Sequence, residues 1–289
     1  LSCISLSLFI VVIYGFMQAF LGIGLTSEQI VWTDGAMFPG LKTRVFSTWQ
    51  NPNLLGGYFD LMLGLMAGMF LLIKHKIVRI VIAVLFCLTA FCLTLTYARG
   101  ACLSIALVIF VYSILYNRKV LLALIGLAVI LLLSDATLVD RMTSIFTKMD
   151  TSSEMRLAFW ESTIAMILDH PLLGIGWGSY FMVYPNYDYY MQGNFIKIVH
   201  AHNMYLNFMA EIGLFGFASY MVCFFGVIYK AFKAHVMKLD ILVKAMFLGI
   251  GLGLSALALN GFTDYVMFNT ELSMLVWLFS GIVVSGYKN

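Results

Sequence analysis

The chain has 289 residues, of which 62% are hydrophobic and only 11% charged, with a formal net charge of +3. Soluble domains carry about 25% charged residues, so a soluble globular fold is excluded and no nucleic-acid partner is expected. Continuous rather than alternating hydrophobicity excludes a membrane β-barrel and leaves an all-α, polytopic transmembrane helical bundle.

Apolar stretches near the length that crosses a hydrocarbon core, about 20 residues, recur along the chain. Eight spans are read, at about 3–25, 54–73, 77–96, 101–116, 120–134, 203–229, 241–260 and 272–286. The first, LSCISLSLFIVVIYGFMQAFLGIGL, has no basic n-region and no A-x-A-like cleavage site, so it reads as a span and not a signal peptide. A chain opening on Leu1 is expected to be a fragment, with further helices upstream. The connections alternate in charge. One set holds Lys74, Lys76 and Arg79, then Arg118 and Lys119, then Lys230, Lys233 and Lys238, then Lys288. Positive-inside bias assigns it to the cytoplasm. The other set, 26–53, 97–100, 135–202 and 261–271, carries most of the acidic residues and is expected to face outward. This divides the chain into N-terminal transmembrane helices (1–134), a large extracytoplasmic loop (135–202) and C-terminal transmembrane helices (203–289).

Within the large loop, 153–169 has helical periodicity. Leu157, Trp160, Ile164, Ile167 and Leu168 share one apolar face, and Pro171 stops the helix. That face is expected on the membrane surface or packed over the bundle. GIGWGSYFMVYPNYDYY follows. Its lone G-x-G comes after no strand, which argues against a dinucleotide site. Tyr180, Phe181, Tyr184, Tyr187, Tyr189 and Tyr190 fit either sugar stacking or an interfacial aromatic belt. The five cysteines lie in apolar segments, form no C-x-x-C pair and read as small buried hydrophobes.

The outward titratable residues are the candidates for chemistry. Arg44 lies in RVFSTWQNPNLLGGY, Arg99 in TYARGACLS, Arg156 opens the loop helix, and Lys197, His200 and His202 close the loop. Arg99 breaks a long apolar run with a short turn. It fits either a snorkelling interfacial arginine or an anion ligand. Arginines run against the charge bias of an outward face, and guanidinium groups grip phosphate in bidentate fashion. Asn203 is a predicted N-cap for the sixth span. A helix N-terminus favours a nearby anion and a neutral imidazole, which suits His202 to accepting a proton. The pair His200–x–His202 lacks a third ligand by spacing, so no metal is expected. No D-x-D pair is present for a metal-held nucleotide sugar.

These segments together resemble the O-antigen ligase and O-antigen polymerase family of bacterial membrane proteins. FSTWQNPNLLGGY resembles its NPN segment. TYARGA resembles its S-R-G-A turn, with Ala98 in place of serine. RLAFWESTIAMILDHPLLGIGWGSY and VHAHNMYLNFMAEIGLFG resemble the segments that open and close its large periplasmic loop. The resemblance implies a multi-pass inner-membrane glycosyltransferase with a periplasmic active face. It implies an inverting reaction without metal or other cofactor. The implied donor is a glycan on undecaprenyl diphosphate, and the acceptor is lipid A–core for a ligase or a growing glycan for a polymerase. By position, His202 takes the role of catalytic base, with Arg99 and Arg156 on the leaving diphosphate. Arg44, His200, Asn203, Tyr180 and Glu211 are expected around the substrate. An anion transporter of bicarbonate type is the alternative from another class, and membrane lipid is a partner in any case.

Overall fold

Each of the eight apolar stretches forms a helix. In the computed structural model they are α1 (Ser2–Leu21), α2 (Pro52–Leu72), α3 (Lys76–Leu95), α4 (Arg99–Tyr116) and α5 (Arg118–Ser134). After the large loop come α9 (Met204–Lys233), α10 (Ile241–Asn260) and α11 (Thr270–Gly286). The structure describes residues 2–25, 43–116, 118–134, 136–147, 151–188, 198–234 and 237–287, and among them there is no strand. α1, α2, α3, α9 and α10 are long and apolar enough to cross a membrane, and Arg99–Leu115 and Thr270–Gly286 are shorter apolar helices. The chain is a polytopic helical membrane protein.

The helix boundaries follow from local chemistry. The Asn51 side chain accepts the Asn53 N–H and Pro52 occupies the first turn, so α2 starts there. The Asn203 side chain accepts from the amides of both Tyr205 and Leu206, the cap expected from the sequence. Asp240 and Asn269 cap α10 and α11 in the same way.

α2 and α10 form the centre. Their most apolar windows are 83% and 67% buried, against 17% for α9, so α9 presents most of its surface to lipid. The two central helices meet through paired glycines. A methyl group on Gly64 would overlap Gly253, and one on Gly68 would overlap Gly249. Small residues four apart on both helices allow the backbones to touch, and close van der Waals packing drives association where lipid removes the hydrophobic gradient.

The large loop holds more structure than its sequence suggests. The predicted helix is present as α7 (Thr151–Asp169), preceded by α6 (Ala136–Thr147), which the sequence reading passed over. A one-turn α8 (Tyr180–Val183) and a 3₁₀ turn (Tyr184–Asn186) follow. The predicted apolar face of α7 is not packed over the bundle. Phe159, Ser162, Thr163 and Met166 are buried, whereas Leu157, Ile164 and Leu168 are 46%, 47% and 74% exposed. The inward face tolerates the Thr163 hydroxyl because it is satisfied locally. Thr163 donates to the Phe159 carbonyl and meets the Tyr180 hydroxyl at 2.8 Å. Tyr180 and Tyr184 are buried too and pack with Phe159, Met166 and Ala201 into a second small core. These tyrosines are neither a sugar platform nor a lipid belt. Tyr187 donates to Asp169 at 2.8 Å; Tyr189, Tyr190 and Lys197 lie outside the described residues.

The loop is stitched into a break in α9. Gly213 has φ 63° and ψ −174°, which interrupts the helical ladder. The freed groups find partners in the segment after α7. Leu214 N–H donates to the Pro171 carbonyl at 2.9 Å. Ile175 and Gly176 donate to the carbonyls of Ala210 and Glu211, both at 2.9 Å. Gly174, at φ 72°, lies so close that a side chain would overlap the Glu211 backbone. Irregular backbone near a membrane persists only where protein supplies such partners.

Candidate active site

The end of the bundle that carries the large loop gathers four segments: 44–53, the α3–α4 turn, the 200–204 segment and the α10–α11 turn. Each is fixed by bonds its own sequence provides. Ala201 N–H donates to Asn207 Oδ1 at 3.0 Å, Asn203 Nδ2 to the Phe262 carbonyl at 3.1 Å, and Met204 N–H to the Gly261 carbonyl at 2.7 Å. Between these ties His202 is held at φ 49°. A non-glycine residue pays of order 1–3 kcal/mol for such a conformation, and the surrounding bonds maintain it.

His202 Nδ1 and Asp264 Oδ1 are 3.0 Å apart. The other carboxylate oxygen accepts from Asn53 Nδ2 at 2.6 Å. Asn53 Oδ1 in turn accepts from an Arg44 Nη at 2.7 Å, and Arg44 Nε donates to the Thr96 carbonyl at 2.8 Å. A continuous chain therefore runs from Arg44 through Asn53 and Asp264 to His202. The His202 ring is sandwiched from the side by Phe159, 5.8 Å away with 21° between planes, and meets His200 edge-on at 4.2 Å.

Protonation states follow from this network. Burial alone would push the Asp264 carboxyl up. The His202 imidazole, by charge and hydrogen bond, together with His200 and Arg156, outweighs that and holds it below the usual carboxylate range. An ionised carboxylate only accepts, so Nδ1 of His202 turns an N–H toward it, and in the neutral ring the lone pair lies on Nε2. His200 Nδ1 accepts the backbone N–H of His202 at 3.2 Å, which puts its proton on Nε2. Burial first, then the His202 ring and the Arg156 charge, push His200 down to about 3 against the pull of Asp264. His200 is neutral at any physiological pH. The pair is thus differentiated: a buried neutral ring supports a partly exposed one whose Nδ1 faces the Asp264 carboxylate.

Arg156 lies three residues before Phe159 in α7, and its charge acts on both His200 and Asp264. Arg99 is the first residue of α4. Its neighbour Gly100 abuts Thr263 and Asn260, where a side chain would overlap both, so Arg99 stands beside the turn that carries Asp264. That turn is anchored from below. Asn260 Nδ2 donates to the buried Asp60 of α2 at 3.0 Å, and the Asn260 carbonyl accepts the Asp264 N–H at 3.0 Å. Tyr180 and Glu211 sit elsewhere, at the seam between loop and α9, where Glu211 accepts the Tyr180 N–H at 3.2 Å.

The sequence reading missed Asp264, Asn53 and Asn260. Asn53 was in view within the NPN segment. Asp264 lies in GFTDY, an acidic residue in the short turn between two apolar spans, which was the available signal. Asp264 also supplies the third ligand that the H-x-H spacing lacked. The donor atoms of His200, His202 and Asp264 lie within 4.8 Å of one another, the composition of a three-ligand metal site. However, both Nδ1 atoms are already engaged, by Asp264 and by the His202 amide, so a cation bound through them would break the network.

Residues 82–221 match a family model described as O-antigen ligase. This stretch includes Arg99, Arg156, His200, His202 and Asn203 and ends within α9. No curated protein matches the chain.

Proposed function

We propose that this chain, whose residues 82–221 match the O-antigen ligase family model, transfers a glycan from undecaprenyl diphosphate to an acceptor hydroxyl. The coarser statement, a membrane enzyme of O-antigen ligase or polymerase type acting on lipid-linked glycan and acceptor, follows from the family itself. The family match gives no support to an anion transporter.

The observation that carries the finer reading is the His202–Asp264 pair, with an ionised carboxylate fixing the tautomer. In this reading His202 Nε2 removes the proton of the acceptor hydroxyl. The resulting oxygen attacks the anomeric carbon from the face opposite the diphosphate. The bond from that carbon to the diphosphate oxygen breaks, the configuration inverts, and the diphosphate departs with the bonding electrons. Arg156 and Arg99 offset the charge growing on the leaving group, and Arg44 acts through Asn53 on Asp264. His200, Asn203 and Asn207 hold the base in place, and no metal takes part. A site built on helix ends suits a donor whose diphosphate lies at the membrane surface, on the periplasmic side of the inner membrane. The acceptor, lipid A–core or a growing glycan, decides between ligase and polymerase.

The test is transfer by the purified protein in lipid nanodiscs, supplied with undecaprenyl-diphosphate glycan and each acceptor in turn. Anomeric configuration is read by NMR. A retained configuration, or full activity of His202→Ala, removes the proposed mechanism.

A further inference from the structure

The segment Pro171–Trp177 and the outward stripe of α7 have no place in the reaction. Leu172, Leu173 and Trp177 are 53%, 79% and 65% exposed, and Leu157, Ile164 and Leu168, exposed as well, share one face of α7 by helical period. Six large apolar side chains left open within residues 157–177 point to an interaction surface.

The break at Gly213 says what covers them. From Leu214 to Lys233, α9 supplies roughly 20 residues, a length of about 30 Å, which matches the hydrocarbon core on its own. Lys230 and Lys233 mark the opposite end of that stretch. Gly213 therefore falls at the hydrocarbon boundary on the loop side. Pro171 is hydrogen-bonded to Leu214 there, and Leu172 lies against Gly213. The neighbouring side chains of α9, Leu214 and Phe215, are 45% and 62% exposed and belong to a lipid-facing helix. Leu172 and Leu173 extend that lipid-facing surface sideways. Trp177 stacks on Phe208 at 5.7 Å with its remaining face open, the placement that indole rings favour at a membrane interface. Glu154 and Glu161 are exposed on the edge of the α7 stripe, where headgroups and water would meet them.

We propose that Pro171–Trp177 and the Leu157–Ile164–Leu168 stripe are immersed in the loop-side leaflet, their partner being the hydrocarbon chains of membrane lipid. The large loop is then a platform half-sunk in the bilayer. This inference stands on packing and hydropathy and is independent of the glycan-transfer reading.

The test uses the full chain in nanodiscs and reads no activity. The emission of Trp177 is taken as the difference between the unmodified chain and Trp177→Phe, in lipids brominated near the top of the acyl chain and in unbrominated lipids, with iodide as aqueous quencher. Immersion predicts loss of most of the Trp177 emission in brominated lipid and little loss to iodide. In parallel, Leu173→Cys should react with an impermeant aqueous maleimide roughly tenfold or more slowly than Glu154→Cys, because the reactive thiolate is disfavoured in hydrocarbon. Quenching by iodide with fast labelling at 173 would mean an aqueous loop. Protection from both quenchers would mean a protein cover, such as a second copy. Either result overturns the proposal.

Discussion

His202 and Asp264 are 62 residues apart in sequence and 3.0 Å apart through Nδ1 and Oδ1. The carboxylate is ionised, so it dictates which ring nitrogen of His202 is basic. Asp264→Asn preserves shape but removes the negative charge that holds the Nδ1 proton of His202 and stabilises the imidazolium formed when the ring takes a proton. A base without that support should lose about 10²–10⁴-fold in the chemical step, the usual worth of general base catalysis. His202→Ala should fall as far, and the double variant no further, because the two act as one unit. Single-turnover transfer with protein level and membrane insertion as controls checks this. Undiminished turnover in Asp264→Asn would show that His202 is not used as a base.

Stability should fall on acidification, and His200 should carry much of the slope. Its ordinary value is 6.5 and the folded protein lowers it to about 3. Between those values the unfolded chain binds a proton that the folded chain refuses, so stability rises with pH across that window. The His200 contribution is complete above about 6.5 and erodes as pH drops towards 3. Asp264 adds a loss of the same sign at lower pH. Its depressed value contributes stability present above its ordinary 3.8 and lost as pH falls below that. Thermal unfolding in detergent at pH 7.5 and 5 should show a lower midpoint at pH 5. His200→Gln, which cannot take up the proton, should flatten the difference. An unchanged slope in that variant would place the titrating group elsewhere.

The architecture was legible because it rests on composition and period. Eight apolar stretches became eight helices, and Asn203 capped its helix as an Asn before an apolar run should. Which face of α7 packs on the protein was not legible, because two stripes compete there. Periodicity picks out Leu157, Ile164 and Leu168, whereas burial selects Phe159 and Met166 with Ser162 and Thr163, the Thr163 hydroxyl being bonded internally. Hydropathy cannot see such satisfaction. The histidines and arginines were visible as charges misplaced in an apolar chain. Asp264 was harder, since its meaning is a contact with His202 and Asn53, and long-range contact leaves no local mark. The left-handed backbone of Ser47, Tyr97 and His202 is likewise invisible in sequence, although Ser47 and Tyr97 lie within three residues of Arg44 and Arg99.

Gly100 should matter more than an α4 glycine ordinarily would. A methyl group there meets Thr263 and Asn260, and these belong to the turn that presents Asp264. Overpacking of this kind costs about 1–3 kcal/mol, and the strain falls on the carboxylate as well as on the fold. Gly100→Ala should therefore reduce transfer by at least about tenfold, the factor equal to 1.4 kcal/mol, while protein still reaches the membrane. Gly126→Ala is the matched control, since nothing lies within 4 Å of its added Cβ. Equal activity in the two variants would mean that the turn yields without moving Asp264.

Metal dependence offers the last discrimination, because the same three residues serve two chemistries. As a metal site, His200, His202 and Asp264 would each donate one atom within a 4.8 Å cluster. As a proton-transfer site, their Nδ1 atoms are already used, one facing Asp264 and one facing the His202 amide. A cation drawn to the cluster would compete with that network and pull the imidazole away from the carboxylate. The expected outcome is transfer that survives extended treatment with EDTA and is suppressed by added Zn²⁺. His200→Gln, which removes one imidazole ligand, should weaken the zinc inhibition. Activity lost on chelation and restored by a divalent ion would reverse the assignment and make the cluster a metal centre.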